Sequence, residues 1–429
     1  MKGLLTELDT FASKDSCLPR ASQGALQRHA QSGDRRLLHL EFHLSPASHD
    51  LWNFLMTEEE RLHAARKSGT VIVGALKDLG TIPILVNAYK NAVAFYPDGA
   101  WWLPCFKEQS TNLLPVADAL GAGEGFCPVR AMLGAFELGC HFPIPDVMFC
   151  STGAICDDFK AIAQRLVERG HPIHFWEMPH VRAAQPDEPS IELSNGLSVP
   201  MLARDIVQDE LKRIAKLLDQ QTGEAISEEK LYAAIVRSNR VRTLLARIRA
   251  SALPSLERLI CEMMALHYCS DYACCEAVLA RVAGEAETLK ADAKLKPVYW
   301  INPVADVRAM NLLEDAGGRL CGTDFMFTHA LTPLDEGLSP FDTLARMALA
   351  DPMAGTIRAR MMACLIDARR SGARGIIVSR IPGASHCAFE ASMLSTISDL
   401  PVLEIEVPTL VDLVAPSLMT RLQGFIESI

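Results

Sequence analysis

Three cysteines stand where an α/β protein does its chemistry. Cys156 follows "DVMFCSTGAI" and opens a helical stretch, Cys387 follows the strand-like "GIIVS" and the loop "RIPGASH", and Cys127 follows "GAGEGF" and precedes "PVRAMLGAFELG". Open α/β sheets gather ligands at the carboxyl ends of their strands, where loops meet helix N-termini. A thiol placed there has its pKa lowered by the helix dipole and nearby N–H groups, and the thiolate is the form that binds a metal or cluster. Pro128 suits the first helical turn after Cys127. The competing reading for each is a small buried hydrophobe, the usual role of free cysteine. The chain has no CxxC spacing of the kind a zinc ribbon needs, so position alone leaves both readings open.

The neighbouring residues are read against the same two alternatives. Cys150 lies within the apolar run "PDVMFC" and is expected to pack. Asp157 and Asp158 supply negative charge to the first turn of the following helix. Cys261, Cys269, Cys274, Cys275 and Cys364 fall on helical patterns and are expected in the core. His386, beside Cys387, could donate a proton or a hydrogen bond to a cluster sulfur or a substrate, or could be a satisfied loop histidine. His171, His174 and His180 decorate a strand edge and its loop. No Walker A sequence and no G-x-S-x-G elbow occurs, and "GAGEG" lacks the strand and the final glycine of a dinucleotide fingerprint.

Four segments must position these residues. Residues 1–69 form an N-terminal helical extension, in which "TEEERLHAARKSG" begins acidic and ends basic as the helix dipole favours. Residues 70–200 alternate short apolar runs with helical stretches ("TIPILVNA", "LLPVADALGA", "PDVMFCSTG", "DDFKAIAQRLVERG", "HPIHFWEMP"), which predicts right-handed crossovers and a parallel sheet. Residues 201–290 keep apolar positions at three-four spacing and form a helical segment. Residues 291–429 return to α/β alternation through "KPVYWINPV", "NLLEDAGGRLCGTDF", "IRARMMACLIDARRSG", "RGIIVSRIPG" and "LPVLEIEVP", a second lobe laid out like the first.

Composition excludes several classes. With 49% hydrophobic residues among 429 there is ample material for a core, and a formal charge of −10 gives no general attraction for nucleic acid or anionic lipid. No signal-peptide pattern and no apolar run of membrane-spanning length occurs, so a soluble, cytoplasmic protein is expected. Thirteen cysteines, an odd number, cannot all pair internally and should be mostly reduced thiols.

The blocks "GEGFCPVRAMLGAFELG", "DVMFCSTGAICDDFKAIAQRLVERGHPIHFWEMP", "ARRSGARGIIVSRIPGASHCAFEASMLSTISDLPVLEIEVP" and "APSLMTRLQGFIESI" together resemble the 2-hydroxyacyl-CoA dehydratase and benzoyl-CoA reductase superfamily, over roughly residues 80 to 429 and in the right order. The chain looks most like the larger of that family's two homologous subunits. The resemblance implies two flavodoxin-like α/β lobes with a helical part, and a [4Fe–4S] cluster held by three cysteines near the cleft. It places Cys127 on the "C-P/S/T-x-x-R/K" ligand and Cys387 on the cysteine after the late strand. Many members carry a further cysteine after the first strand of the first lobe, where this chain has none. Others use a "TGC"-like turn, which corresponds to Cys156, with Cys150 the poorer candidate. Three thiolates leave one iron open or capped by another ligand. The resemblance also implies an acyl-CoA substrate, a second homologous subunit and a separate ATP-hydrolysing iron–sulfur activator, in keeping with the missing Walker A. It leaves three roles: a benzoyl-CoA-type reductase, a (R)-2-hydroxyacyl-CoA dehydratase, or a partner subunit without a cluster. Arg130, Arg319, Arg380 and Arg421 are the candidate cations for the CoA phosphates.

Overall fold

Apolar runs separated by amphipathic stretches pay their backbone hydrogen bonds into parallel ladders and bury both faces of the resulting sheet under helices. The chain does this twice. A computed structural model describes residues 43–44, 46–76, 80–98, 113–123, 125–153, 157–302, 308–324, 332–380, 389–406 and 416–429.

Among the described residues two helices come first, α1 (Ala47–Met56) and α2 (Glu58–Lys67), the second opening on Glu58, Glu59 and Glu60 and closing on Arg66 and Lys67 as the charge pattern predicts. The first lobe follows as β1 (Val71–Leu76), α3 (Thr81–Val86), β2 (Ala92–Phe95), α4 (Leu113–Ala119), α5 (Ala131–Leu138), β3 (Val147–Ser151), α6 (Asp157–Glu168) and β4 (Ile173–Trp176). A short antiparallel ribbon, β5 (Ser190–Glu192) with β6 (Ser198–Pro200), leads into four helices: α7 (Met201–Thr222), α8 (Glu228–Arg249), α9 (Ser255–His267) and α10 (Tyr272–Ala286). Ser227 caps α8 by accepting from the Lys230 N–H, and Asp271 caps α10 by accepting from that of Cys274. The second lobe runs β7 (Lys296–Ile301), α11 (Arg308–Asp315), β8 (Gly318–Asp324), α12 (Pro340–Ala350), α13 (Ile357–Arg370), β9 (Gly375–Arg380), α14 (Glu390–Ile397), β10 (Val402–Glu406) and α15 (Pro416–Ser428).

Both sheets are parallel throughout and share one topology. The first is ordered β2-β1-β3-β4 and the second β10-β9-β7-β8, which in each lobe's own count is the doubly wound order 2-1-3-4. The expected pair of similar α/β lobes is therefore present. In each lobe the order reverses between the first and third strands, and the ends of those strands frame the crevice where such sheets bind ligands.

One local expectation is corrected. The apolar run "TIPILVNA" reads as a strand, but Thr81–Val86 is a helix and the strand is the preceding Val71–Leu76. All six residues of that helix are buried, so no face is left polar and the run has no period to betray it. Pro83 is tolerated because it falls in the first turn, where its missing N–H has no partner to lose. Cys261, Cys269, Cys274, Cys275 and Cys364 are all buried, as expected.

Candidate functional site at the strand ends

At the carboxyl edge of the first sheet, β3 ends in Cys150 and Ser151, and its chain turns through Thr152 and Gly153 toward α6. Cys150 is wholly buried within the strand, consistent with packing. Gly153 is required by close approach: a Cβ there would fall on the carbonyl oxygen of Met178, and the Thr152 N–H is held by the carbonyl of Trp176 at 2.9 Å. Gly153→Ala should thus push the turn away from the loop after β4. A melting temperature lower by several degrees, with Thr152→Ala as the milder comparison, is the expected outcome in a thermal melt.

Cys127 lies 3% exposed, immediately before a short helical turn at Pro128–Arg130 that leads into α5. Its N–H donates to the Asp158 carboxylate at 2.9 Å, and Asp158 sits in the first turn of α6. The acidic pair read from sequence therefore divides its work. Asp157 faces solvent and pairs with Lys160 at 2.6 Å, while Asp158 turns inward and ties the Cys127 segment to the start of the helix that Cys156 precedes in the chain. Arg130 is buried and committed to Asp118 (2.9 Å) and the Phe126 carbonyl (3.1 Å). Cys156, His386 and Cys387 lie outside the described residues.

The second sheet's carboxyl edge carries a network that sequence reasoning missed. Arg360, on α13 and 4% exposed, donates through Nε to Asp324 at the end of β8 (2.9 Å), through Nη1 to Glu390, and through Nη2 to Asn302 just past β7 (3.3 Å). Asn302 in turn donates to the other Glu390 oxygen. It adopts a left-handed backbone, φ 48°, a conformation that asparagine tolerates better than most residues. Glu390 opens α14 as Asp158 opens α6, so in both lobes the helix after the third strand begins with a buried acid. Burial raises the Glu390 carboxyl to about 7; Arg360 pulls it down and Asp324 pushes it up. A signal existed in the sequence: Arg360 interrupts the apolar stripe of α13 that Met361, Cys364, Leu365 and Ala368 continue, and a charge on a buried face must find partners.

Beneath this network is a cavity of about 140 Å³ lined by Arg249, Tyr299, Thr323, Asp324, Arg360 and Cys364, among others. Arg249 pairs with Asp367 (2.9 Å) and Glu262 (3.0 Å), and the Tyr299 hydroxyl bonds to Asp367 at 3.0 Å. Small-molecule sites usually exceed about 300 Å³, so the cavity is too small for a CoA thioester, and its charged groups are paired with one another. We read it as support for the strand ends.

The remaining expectations are placed as follows. His174 stands on edge strand β4 against Phe149 (ring centroids 5.8 Å), and His171 meets Phe136 edge-on in the preceding loop. Of the candidate phosphate-binding arginines, Arg130 is committed as above, Arg380 pairs with Glu404 (3.0 Å) and Glu406, and Arg421 donates to the Glu404 carbonyl. Arg319 lies on β8. Among the described residues no three His, Cys, Asp or Glu side chains converge as a metal site, and no helix is long and apolar enough to cross a membrane. Cys127 is shielded, and its backbone is fixed between the short turn Pro128–Arg130 and the start of α6.

The family described as 2-hydroxyglutaryl-CoA dehydratase, D-component, matches residues 92–429. No curated protein matches the chain.

Proposed function

The chain belongs to the 2-hydroxyglutaryl-CoA dehydratase D-component family, and on that premise we propose that it is the iron–sulfur subunit of an ATP-activator-dependent reductase of benzoyl-CoA type. The observation that carries the reading is Cys127, a buried thiol at the carboxyl edge of the first sheet, clamped by Asp158 to the helix that begins directly after Cys156. Cys127, Cys156 and Cys387 would hold a [4Fe–4S] cluster, which would supply low-potential single electrons to an acyl-CoA thioester. The protein's own part is to place the thiolates, to exclude water from the reacting thioester, and to hold protons nearby, with His386 as the candidate donor. The electrons would come from a separate ATP-hydrolysing iron–sulfur activator, and a homologous subunit would complete the catalytic core.

The choice of a reductase rests on the resemblance of the ligand pattern to larger reductase subunits, in which a "TGC"-like turn, here Cys156, stands in for the cysteine that many members carry in the stretch corresponding to "ILVNAYKNAVAFYPDG". The family's description favours a second reading, elimination of water from a (R)-2-hydroxyacyl-CoA. Iron and acid-labile sulfide analysis with low-temperature EPR, on the chain purified without oxygen alone and with its homologous partner, tests the shared part. About four irons per chain with a reducible signal are expected. Absence of iron in both preparations would leave a partner subunit without a cluster. Product analysis with an aromatic acyl-CoA and with a (R)-2-hydroxyacyl-CoA then separates the two reactions.

A further inference from the structure

A second group of titratable side chains is used by nothing above. Glu58 begins α2, His267 ends α9, and Asp98 follows β2 at the carboxyl edge of the first sheet; they are 3%, 0% and 0% exposed. Glu58 and the His267 Nδ1 stand 2.8 Å apart. Among the described residues, Glu58 Oε1 and His267 Nε2 have no hydrogen-bond partner, and the Asp98 carboxyl has none beyond the pull of its own backbone N–H. Such atoms are rare in protein interiors because each forfeits its hydration for nothing. For Asp98 this position favours the neutral form over the charged one.

The three residues come from three separate pieces: the N-terminal helix pair, the first lobe and the four-helix segment. Glu58 also lies before the first residue of the family match, whereas Asp98 and His267 lie within it. We propose that Asp98, His267 and Glu58 form an interior proton-holding site that fastens α1 and α2 to the body of the protein while Asp98 is protonated and loosens them when it ionises. The reading is independent of the proposed reaction.

The electrostatics agree with the geometry. Burial raises the Asp98 carboxyl to about 7; its own N–H and His267 pull it down, and Glu58 pushes it up. The other charged groups at this junction have hydrogen-bond or ion-pair partners. Arg61 on α2 donates to the Phe54 carbonyl (2.6 Å), Thr57 and Ser270, and faces Glu58, Asp271, Cys274 and Cys275. Asp50 on α1 meets Arg281 of α10 at 2.5 Å, and Glu257 accepts from the N–H groups of His43 and Leu44. The carboxyls of Asp50 and Glu257 are also raised by burial, so the Asp98 contribution must be isolated by substitution.

The sign follows from linkage. A carboxyl whose folded pKa is raised contributes stability that is fully present below its ordinary value of 3.8, falls as pH rises through the window ending near 7, and is level above it. Hydrogen exchange of the full chain, corrected for intrinsic rates, should show protection over residues 47–67 falling by up to about tenfold per pH unit below 7 and then reaching a plateau. Asp98→Asn should remove most of that slope. Glu58→Gln should move the plateau to lower pH by removing the charge that pushes Asp98 up. Equal slopes in wild type and Asp98→Asn, or a slope difference spread evenly over the whole chain, would overturn the proposal. Should Asp98→Asn fail to fold, infrared spectroscopy provides the check. In Glu390→Gln, which removes the other buried carboxyl expected near 7, the carbonyl band of a protonated buried carboxyl must still be present at low pH and vanish with a midpoint near 7, and its absence would equally refute the site.

Discussion

Under the proposed cluster assignment the wild type purified without oxygen should be brown, and Cys127→Ala is expected to lack that colour, most of the iron and any turnover, while its far-UV circular dichroism stays close to native. The thiol is buried but small, so its removal should cost about 1 kcal/mol of packing, far from enough to unfold the chain. A cluster held by three thiolates is another matter. Perturbing only the outer partners of a metal ligand typically costs ten- to a hundredfold in affinity or activity, and deleting the ligand itself should exceed that. Cys150→Ala is the matched comparison. Cys150 is as buried as Cys127 but points into the core from within β3, so its variant should keep its iron at a similar cost in stability. Iron content separates the two cleanly. Full iron in Cys127→Ala together with loss in Cys150→Ala would move the ligand into the strand and break the assignment of the turn. An intermediate test is Asp158→Asn, which removes the charge that holds the Cys127 N–H and leaves the thiol in place. It should lower iron retention during gel filtration more than iron uptake under excess.

How far the sequence carries depends on whether local pattern or long-range pairing decides an element. Strands β7, β9 and β10 and helices α6 and α13 are legible because each is a single apolar run or a clear amphipathic period bounded by turns. Thr81–Val86 fails for the reason already given: complete burial erases the period. The ribbon β5–β6 carries a local signal of its own. Asn195-Gly196 sits between two alternating runs, and Gly196 adopts φ 80° at the turn, the standard hairpin signal. The order 2-1-3-4 in both lobes follows from crossover handedness only once the number of strands is known. Cys127 could be placed at a helix start from Pro128 alone, but its bond to Asp158 spans 31 residues and no local pattern encodes it. The Arg360 network joins residues 302, 324, 360 and 390, and a reader of the sequence meets them as four unrelated polar residues. Long-range electrostatic closure becomes visible only when the strand ends are brought together.

That closure should be the most expensive single feature of the second lobe to break. Arg360→Met keeps the volume and removes the charge, which leaves Asp324 and Glu390 buried without a counter-ion. Breaking a buried pair from one side typically costs about 3–5 kcal/mol, because the stranded charge keeps its desolvation penalty and loses its partner. The defect should depend on pH in a direction fixed by Glu390. Its carboxyl already rests near 7 with Arg360 pulling it down, so deleting the guanidinium raises it further. The group can then meet the loss by keeping its proton, so Arg360→Met should be least harmful in mild acid and most harmful above neutrality. Arg360→Lys retains the charge but cannot reach Asp324, Glu390 and Asn302 together as the planar fork does, and it should fall between the two. Pairing Arg360→Met with Glu390→Gln should recover part of the loss, since the double variant strands one carboxylate fewer. The described residues form two separate four-stranded sheets and need not unfold in one step, so hydrogen exchange over residues 296–324 and 375–397 is the proper readout. Loss of protection confined to those strands and to α14 would mean that the network anchors the second lobe's carboxyl edge. Equal loss over residues 71–95 would mean instead that the lobes unfold as a unit.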